Sequence, residues 1–241
     1  MHELVGVLVE RGYLRPDPET STRFVLGVRA FQLGGAYERE VDLFASGRAA
    51  AKRVAAECGE TVQVVIRDDR HVIYIVKVDS IHAVRVVSHV GGRLPAWCTA
   101  GGKVLLSQLS PDELDALFPH DIGMVGMTAQ SIRSRKRLVN ELKITRERGW
   151  GEENSESNED AACVAAPIYD RSGACVAAMS ITVPIIRWDN ANTSRFVDLV
   201  VQGALEASTD LGWVSAAASS SASLTKPGFG VGQSQVVDAT H

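Results

Sequence analysis

Residues 163–183, CVAAPIYDRSGACVAAMSITV, contain two runs of small and β-branched residues on either side of the turn formers at 170–173. Such an arrangement is typical of a β-hairpin. Residues 61–79, TVQVVIRDDRHVIYIVKVD, repeat it around RDDR. Because hairpins pair antiparallel strands, the two stretches together predict a mainly antiparallel sheet.

The register of the 163–183 hairpin decides which polar side chains share a face. A two-residue loop of Arg171 and Ser172 places Cys163 opposite Ser180, with Thr182 on the same face. A three-residue loop with Gly173 in a bulge shifts the register by one residue and removes this pairing. Asp-Arg-Ser-Gly permits both loops, so the pairing stays open at this point.

Helix-like segments surround these strands. We expect helices ending at Gly59 and Gly149, since glycine is common just after a helix C-terminus, and a helix capped by Ser110. The helical segments are residues 41–59, 99–109, 110–118, 129–149 and 190–213, and residues 82–88 (HAVRVVS) add a further short strand. The pattern predicts an α+β fold with an antiparallel sheet of about six strands flanked by helices.

The two ends of the chain differ from its middle. Residues 2–12 predict a helix ending at Gly12, residues 13–27 a short hairpin around Pro16–Thr20, and residues 28–39 a second helix. Residues 214–241 are rich in Ser, Ala and Gly without periodicity, so they predict a disordered tail.

Composition narrows the class of protein. The 241-residue chain is 45% hydrophobic and 22% charged with a net charge of −4, as expected of a globular protein without a chain-wide polyanion-binding surface. No apolar run reaches the roughly 18 residues of a membrane span, and the N-terminus lacks a basic signal region. The four cysteines show no CxxC spacing. We therefore expect a cytoplasmic protein without a disulfide framework or zinc site.

Residues 96–107, AWCTAGGKVLLS, resemble a phosphate-binding loop only superficially. A Walker A loop requires Ser or Thr directly after its lysine and a glycine six positions before the lysine. Val104 follows Lys103, and the glycine position holds Trp97. The GFGVG of the tail also lacks dinucleotide-binding spacing and follows no strand.

The sequence supports a catalytic site or a metal site no better than it supports a nucleotide-binding loop. Cys163 with a histidine would make a nucleophile and its base, but no spacing selects the partner. The acidic run at 152–160 lacks the spacing of a calcium loop, which favours a solvated loop. We expect no enzymatic activity, no metal and no cofactor.

A binding pocket remains. Small residues before an apolar helix leave the amides of Ala100 and Gly101 unpaired at the positive end of the helix dipole, which suits a carboxylate. Alternatively, these small residues only permit close packing of a helix on a sheet. The local sequence does not separate the two readings.

Three stretches in this order resemble the IclR family of bacterial transcription regulators: residues 8–34, LVERGYLRPDPETSTRFVLGVRAFQLG; residues 91–107, GGRLPAWCTAGGKVLLS; and residues 147–181, ERGWGEENSESNEDAACVAAPIYDRSGACVAAMSI. The resemblance implies a winged helix-turn-helix, a linker helix and a GAF-like effector domain that binds a small organic acid and modulates operator binding. It also implies a homodimer or homotetramer.

The resemblance divides the chain into four parts. Residues 1–27 correspond to the end of the recognition helix and the wing, 28–40 to the linker helix, 41–213 to the effector domain and 214–241 to the tail. The implied DNA contacts are Ser21, Thr22 and Arg23. The implied effector-binding residues are Ala100, Gly101, Glu153, Cys163, Ser180 and Thr182, with Val86 and Leu94 as apolar walls.

This chain departs from the family pattern in two ways. Glu153 and Thr182 stand where the family often has Asp and Ser, and Ala83 replaces a larger residue, which would admit a bigger acid. The chain also opens inside the recognition helix, so we expect specific operator binding only from a complete chain. The alternative is a stand-alone small-molecule sensor or protein-interaction domain that does not bind DNA.

Overall fold

The computed structural model describes residues 2–20, 23–40, 42–86, 88–119 and 123–214. The helices are His2–Glu10 (α1), Val28–Glu40 (α2), Asp42–Cys58 (α3), Ala100–Ser107 (α4), Pro111–Leu117 (α5), Arg135–Arg148 (α6) and Asn190–Asp210 (α7). The strands are Leu14–Pro16 (β1), Phe24–Leu26 (β2), Thr61–Asp68 (β3), His71–Val78 (β4), Arg93–Pro95 (β5), Gly151–Asn154 (β6), Ala161–Tyr169 (β7) and Cys175–Pro184 (β8). Short 3₁₀ turns follow β5 and β8.

The main sheet has the strand order β5-β4-β3-β8-β7-β6, and each neighbouring pair is antiparallel. The two hairpins predicted from the sequence, β3–β4 and β7–β8, form its centre. Helices cover both of its faces. The predicted α+β fold with a helix-flanked antiparallel sheet is therefore confirmed.

The two faces of β8 differ in character. Met179 and Ile181 point into an apolar core with α3 and α7. The alternate residues point to the opposite face, where α4 packs. On that face Ser180 and Thr182 are buried as well, with 6% and 5% of their surface exposed. The sheet thus sets a polar strip beneath α4.

The β7–β8 register differs from the two-residue-loop alternative. Gly173 has a φ of +82° and its N–H bonds to the Asp170 carbonyl, so the turn is the three-residue loop. A bulge between Ile168 and Tyr169 shifts the register once more. Cys163 therefore lies opposite Thr182 instead of Ser180. Because side chains alternate between the two faces of a strand, two successive one-residue shifts leave Cys163, Ser180 and Thr182 on the same face.

The short strand predicted at residues 82–88 is wrong for the described residues of that segment. They form a loop in which Val84 is 59% exposed, directly after Ile81, which is 81% exposed. The edge of β4 instead pairs with Arg93–Pro95. The Ser88 carbonyl in this loop accepts a hydrogen bond from Lys77 Nζ at 2.8 Å. The β-branched residues of the segment favoured a strand, but β4 pairs with β5 instead.

The helix predicted from residue 129 begins later, at Arg135, where Ser134 caps it. Ser131 is used differently: its Oγ accepts from the amides of Met127 and Thr128 and donates to the Glu156 carbonyl at 2.6 Å. Serine side chains form such local hydrogen bonds with the backbone in competition with helix formation, so the helix does not begin before Arg135. The predicted helix end is confirmed by Gly149, which has a φ of +78°.

The N-terminal elements agree with their predictions. Gly12 follows α1 with a φ of +74°, and β1 pairs with β2 through Leu14 and Leu26. The helix α2 follows directly. Ser21, Thr22 and nearly all of the predicted tail lie outside the described residues. Among the described helices, none combines the length and apolarity needed to cross a membrane.

Candidate functional site

A row of polar side chains crosses the sheet beneath α4. Cys163 Sγ lies 3.2 Å from Thr182 Oγ1. Thr182 Oγ1 donates to Gln63 Oε1 at 2.9 Å, and Ser180 Oγ donates to the same oxygen at 3.4 Å. Three adjacent strands, β7, β8 and β3, thus bring together residues far apart in the sequence.

The N-terminus of α4 lies over this row. Thr99 caps the helix by accepting from the amide of Gly102 at 3.0 Å. The amides of Ala100 and Gly101 belong to the first turn, and within the described residues they have no acceptor. These are the two donors that the sequence assigned to a carboxylate.

Close packing also explains the small residues here. A Cβ on Gly101 would lie 2.6 Å from Val65 Cγ2, and one on Gly102 would lie 2.2 Å from the Ala96 carbonyl oxygen. Gly102 therefore permits the contact between α4 and the 3₁₀ turn that holds Ala96, and Gly101 permits the contact between α4 and the sheet. The same contact leaves the unpaired amides facing the polar row, so the two readings from the sequence are compatible.

Between α4 and the sheet lies a cavity of about 10 Å³, close to the space needed by one water molecule. Four of the residues named from the sequence do not line this cavity. Its lining residues are Gln63, Val65, Tyr74, Thr99, Ala100, Gly101, Ser157, Cys163 and Ser180. None of these carries a cationic side chain.

Glu153 lies behind the cavity wall. It pairs with Cys163 in the β6–β7 register and is 1% exposed. Its carboxylate accepts from the Glu156 amide at 2.8 Å and from Ser157 Oγ at 2.9 Å. Burial raises the pKa of the Glu153 carboxyl despite these hydrogen bonds. The acidic run is therefore not wholly solvated: it begins within β6 and buries both Glu153 and Glu156.

The other sequence-named residues are distributed around the cavity. Thr182 belongs to the polar row without lining the cavity. Leu94 is half-buried against the core beneath α4. Val86 lines a different cavity, of about 420 Å³, together with Asp160 and Ile185. The structure thus does not bring Val86 to the cavity at α4.

Cys163 is a protonated thiol in this setting. Burial, and secondarily the charge of Glu153, raise its pKa well above the ordinary 9.0. Since the thiolate is the nucleophilic form, this environment opposes nucleophilic catalysis. Its role here is that of a small hydrogen-bonding wall residue.

Lys103, which appeared incidental in the sequence, is fully buried. Its Nζ donates to Glu156 Oε1 at 2.7 Å and to the Glu152 carbonyl at 2.8 Å. These bonds join α4 to the turn after β6. Lys103 is therefore a structural anchor directed away from the cavity-lining set.

Three cavity residues were missed by sequence reasoning: Gln63, Tyr74 and Ser157. Gln63 is the one side-chain amide within the β-branched run of β3. A single polar residue in such a run indicates a buried polar site, because a buried polar group needs hydrogen-bond partners. Tyr74 and Ser157 gave no comparable signal. Their positions depend on the sheet order and on the turn after β6.

The third DNA-contact residue named from the sequence, Arg23, is exposed beside β2. Its carbonyl accepts from the Asp17 amide at 3.0 Å, which holds the base of the β1–β2 turn. Among the described residues, no three His, Cys, Asp or Glu side chains cluster as metal ligands would.

Comparison with known proteins identifies the relatives of this chain. The family model for the C-terminal region of the bacterial transcriptional regulator IclR matches residues 35–209. The regulator KdgR of Dickeya chrysanthemi is 31% identical over 213 residues, which cover 88% of this chain and 69% of KdgR. The transcriptional repressor IclR of Escherichia coli is 30% identical, over 85% of this chain and 75% of IclR.

Solved structures agree with these relatives. The IclR of Thermotoga maritima is similar with a TM-score of 0.73 and 25% identity, covering 88% of this chain and 85% of that one. An IclR homologue of Microbacterium hydrocarbonoxydans, solved in complex with 4-hydroxybenzoate, has a TM-score of 0.75 at 20% identity, covering 88% and 84% of the two chains. The curated relatives are named as transcriptional regulators and repressors, which confirms the expectation of a non-enzyme. The chain belongs to the IclR family of bacterial transcription regulators.

Proposed function

We propose that the domain built on the six-stranded sheet binds a small organic acid and that binding changes the affinity for operator DNA. The observation that carries the proposal is the pair of unpaired amides, Ala100 and Gly101, at the N-terminus of α4 above a buried polar row. Amides at a helix N-terminus bind anions by hydrogen bonding and by the helix dipole.

Cys163, Ser180 and Thr182 complete the proposed site, with Glu153 supporting it from behind. Leu94 provides an apolar wall at the same core. Val86 would join them only if the loop of residues 79–92 closed over the ligand.

The size of the cavity limits the ligand. Room for about one water molecule means that side chains must move before an acid enters. A 2-oxo acid requires the smaller movement, and an aromatic acid the larger. The Microbacterium hydrocarbonoxydans homologue binds 4-hydroxybenzoate on a similar fold, which supports including aromatic acids among the candidates.

Regulation requires that the acid prefer one of two arrangements of the protein. The helix α2 joins the β1–β2 hairpin to α3, and Tyr37 of α2 contacts Phe44 of α3 edge-on with ring centroids 5.7 Å apart. We propose that α2 transmits the preference to the residues that contact DNA, within a homodimer or homotetramer.

Calorimetric titration tests the site. Pyruvate, 2-oxobutyrate and 4-hydroxybenzoate are each titrated into the unmodified chain and into a double variant, Cys163→Ser with Ser180→Ala. We expect at least one acid to bind the unmodified chain with micromolar to millimolar affinity and the double variant to bind it more weakly. Absence of binding by all three acids would contradict the proposal.

A further inference from the structure

The proposed carboxylate site contains no cation, so hydrogen-bond donors must hold the charge. Each hydroxyl has one proton to donate. Among the lining residues, Ser180 donates to Gln63 Oε1, Ser157 donates to Glu153 Oε1 at 2.9 Å, and Thr99 Oγ1 donates to the Ala96 carbonyl at 3.4 Å. These protons are committed to the protein.

Gln63 and Thr182 are committed in a similar way. Gln63 Nε2 uses one of its two N–H donors on Ser88 Oγ at 2.5 Å, and Thr182 donates to Gln63 Oε1. The polar row therefore presents mainly lone pairs to the cavity. A carboxylate cannot use lone pairs, because it is itself an acceptor.

Tyr74 differs from its neighbours. It lies opposite Val65 in the β3–β4 register, packs its ring against the core beneath α4 and lines the cavity. Within the described part of the chain, no hydrogen bond involves the Tyr74 hydroxyl, although a phenol on a core surface usually has a hydrogen-bond partner.

The Tyr74 side chain lines the same cavity as Ala100, Gly101 and Cys163. Burial, and secondarily the neighbouring Cys163 and Glu153, raise the pKa of the Tyr74 phenol, so it stays a neutral donor. Its backbone is fixed as well, since the Tyr74 amide donates to the Gly92 carbonyl and its carbonyl accepts from Gly91. A fixed strand position with an unused donor suits ligand binding.

We propose that Tyr74 is an effector-binding residue whose phenol O–H donates to the bound carboxylate, beside the amides of Ala100 and Gly101. This inference rests on the proposed function, since it assigns a donor to the same acid. It also gives the site a third donor that does not require the row of Gln63, Ser180 and Thr182 to rearrange.

The test is calorimetric titration of the unmodified chain, Tyr74→Phe and Tyr169→Phe. Tyr169 is the matched control, because it is a strand tyrosine that stacks on Trp213 and does not line the cavity. The probe is whichever of pyruvate, 2-oxobutyrate and 4-hydroxybenzoate binds the unmodified chain. Circular dichroism confirms that both variants are folded.

A hydrogen bond to a charged group predicts that Tyr74→Phe weakens binding by about tenfold or more, while Tyr169→Phe stays within about twofold. A loss below about fivefold in Tyr74→Phe, with clear binding by the unmodified chain, would overturn the assignment of Tyr74 and leave the proposed function intact. Absence of binding by the unmodified chain would overturn the proposed function, and the assignment of Tyr74 with it.

Discussion

Lys103 shows how one residue can stabilise the fold next to a site without contacting it. Its side chain is 2% exposed and is paired with Glu156, whose side chain is 11% exposed. Burial raises the pKa of the Glu156 carboxyl even beside Lys103, and its Oε2 has no hydrogen-bond partner among the described residues. Lys103 Nζ also lies 3.4 Å from Glu141 Oε1, whereas the buried Glu156 carboxylate depends on Lys103 for its compensating charge.

Replacing Lys103 with Met should leave Glu156 buried and uncompensated. We expect Lys103→Met to lower the free energy of unfolding by about 3–5 kcal/mol. Urea unfolding measures the change. Lys143→Met is the control, because Lys143 is 75% exposed in its ion pair, and it should cost less than about 1 kcal/mol.

A second comparison separates charge from packing at Lys103. Adding Glu156→Gln to Lys103→Met removes the unpaired carboxylate and should restore part of the lost stability. If the double variant is no more stable than Lys103→Met, the loss is one of packing and the ion-pair account fails.

Glu153 should make stability depend on pH. Its folded pKa lies above its ordinary 4.5, so the folded state binds the proton more tightly than the unfolded state. The unfolding free energy that it contributes is therefore larger below pH 4.5 and decreases as pH rises through the raised folded pKa. Glu153→Gln should remove this part of the dependence of the unfolding free energy on pH.

Unfolding free energies of the unmodified chain and Glu153→Gln, measured from pH 4.5 to 7, test the sign. Glu159→Gln is the control, since it removes an exposed carboxylate from the same turn. If the pH dependence of the unfolding free energy is the same in Glu153→Gln as in the unmodified chain, burial does not raise the pKa of the Glu153 carboxyl.

Some residues of the site could be found from sequence, and others could not. Ala100 and Gly101 were recognisable because their position before an apolar helix has a local physical meaning. Tyr74 and Ser157 were not recognisable, because their proximity depends on strand order and on a turn. Val86 was named through the family resemblance, and in the structure it lines a different cavity from the one at α4.

At the scale of elements, the contact between α4 and the 3₁₀ turn that precedes it is tightly constrained. A Cβ on Gly102 would lie 2.2 Å from the Ala96 oxygen, which is backbone and cannot turn aside. We expect Gly102→Ala to reduce the unfolding free energy by about 1–3 kcal/mol or more. Urea unfolding again provides the measurement.

The matched control is Gly34→Ala in α2, where no atom lies within 4 Å of the added Cβ. Alanine is the better helix former, so this variant should gain roughly 0.5–1 kcal/mol. If both variants change stability in the same direction, the close approach of α4 is not what requires glycine at 102.

Hairpins and helix ends were predictable because their signals are local. Gly12, Gly59 and Gly149 all follow helices with positive φ. Register was not predictable, because it combines a loop at Gly173 with a bulge that leaves no turn signal in the sequence. The edge strand β5 was missed since it has three residues and exists only through its pairing with β4.

At the scale of the whole molecule, Arg23 tests the proposed DNA contact. If it neutralises a phosphate, Arg23→Gln should lower affinity for duplex DNA and reduce the salt slope by about one counterion. Fluorescence anisotropy at several salt concentrations measures both. Arg171→Gln, in the exposed β7–β8 turn, should have no effect, and equal effects of the two variants would contradict a contact at the wing.

The central claim is that an acid binds at the N-terminus of α4, and amide chemical shifts test it most directly. In ¹H–¹⁵N correlation spectra recorded during titration with the acid that binds, the amides of Ala100 and Gly101 should show the largest downfield proton shifts, as expected for new bonds to a carboxylate. Saturable binding that leaves these two amides unchanged and instead shifts residues around Val86 and Ile185 would contradict the claim.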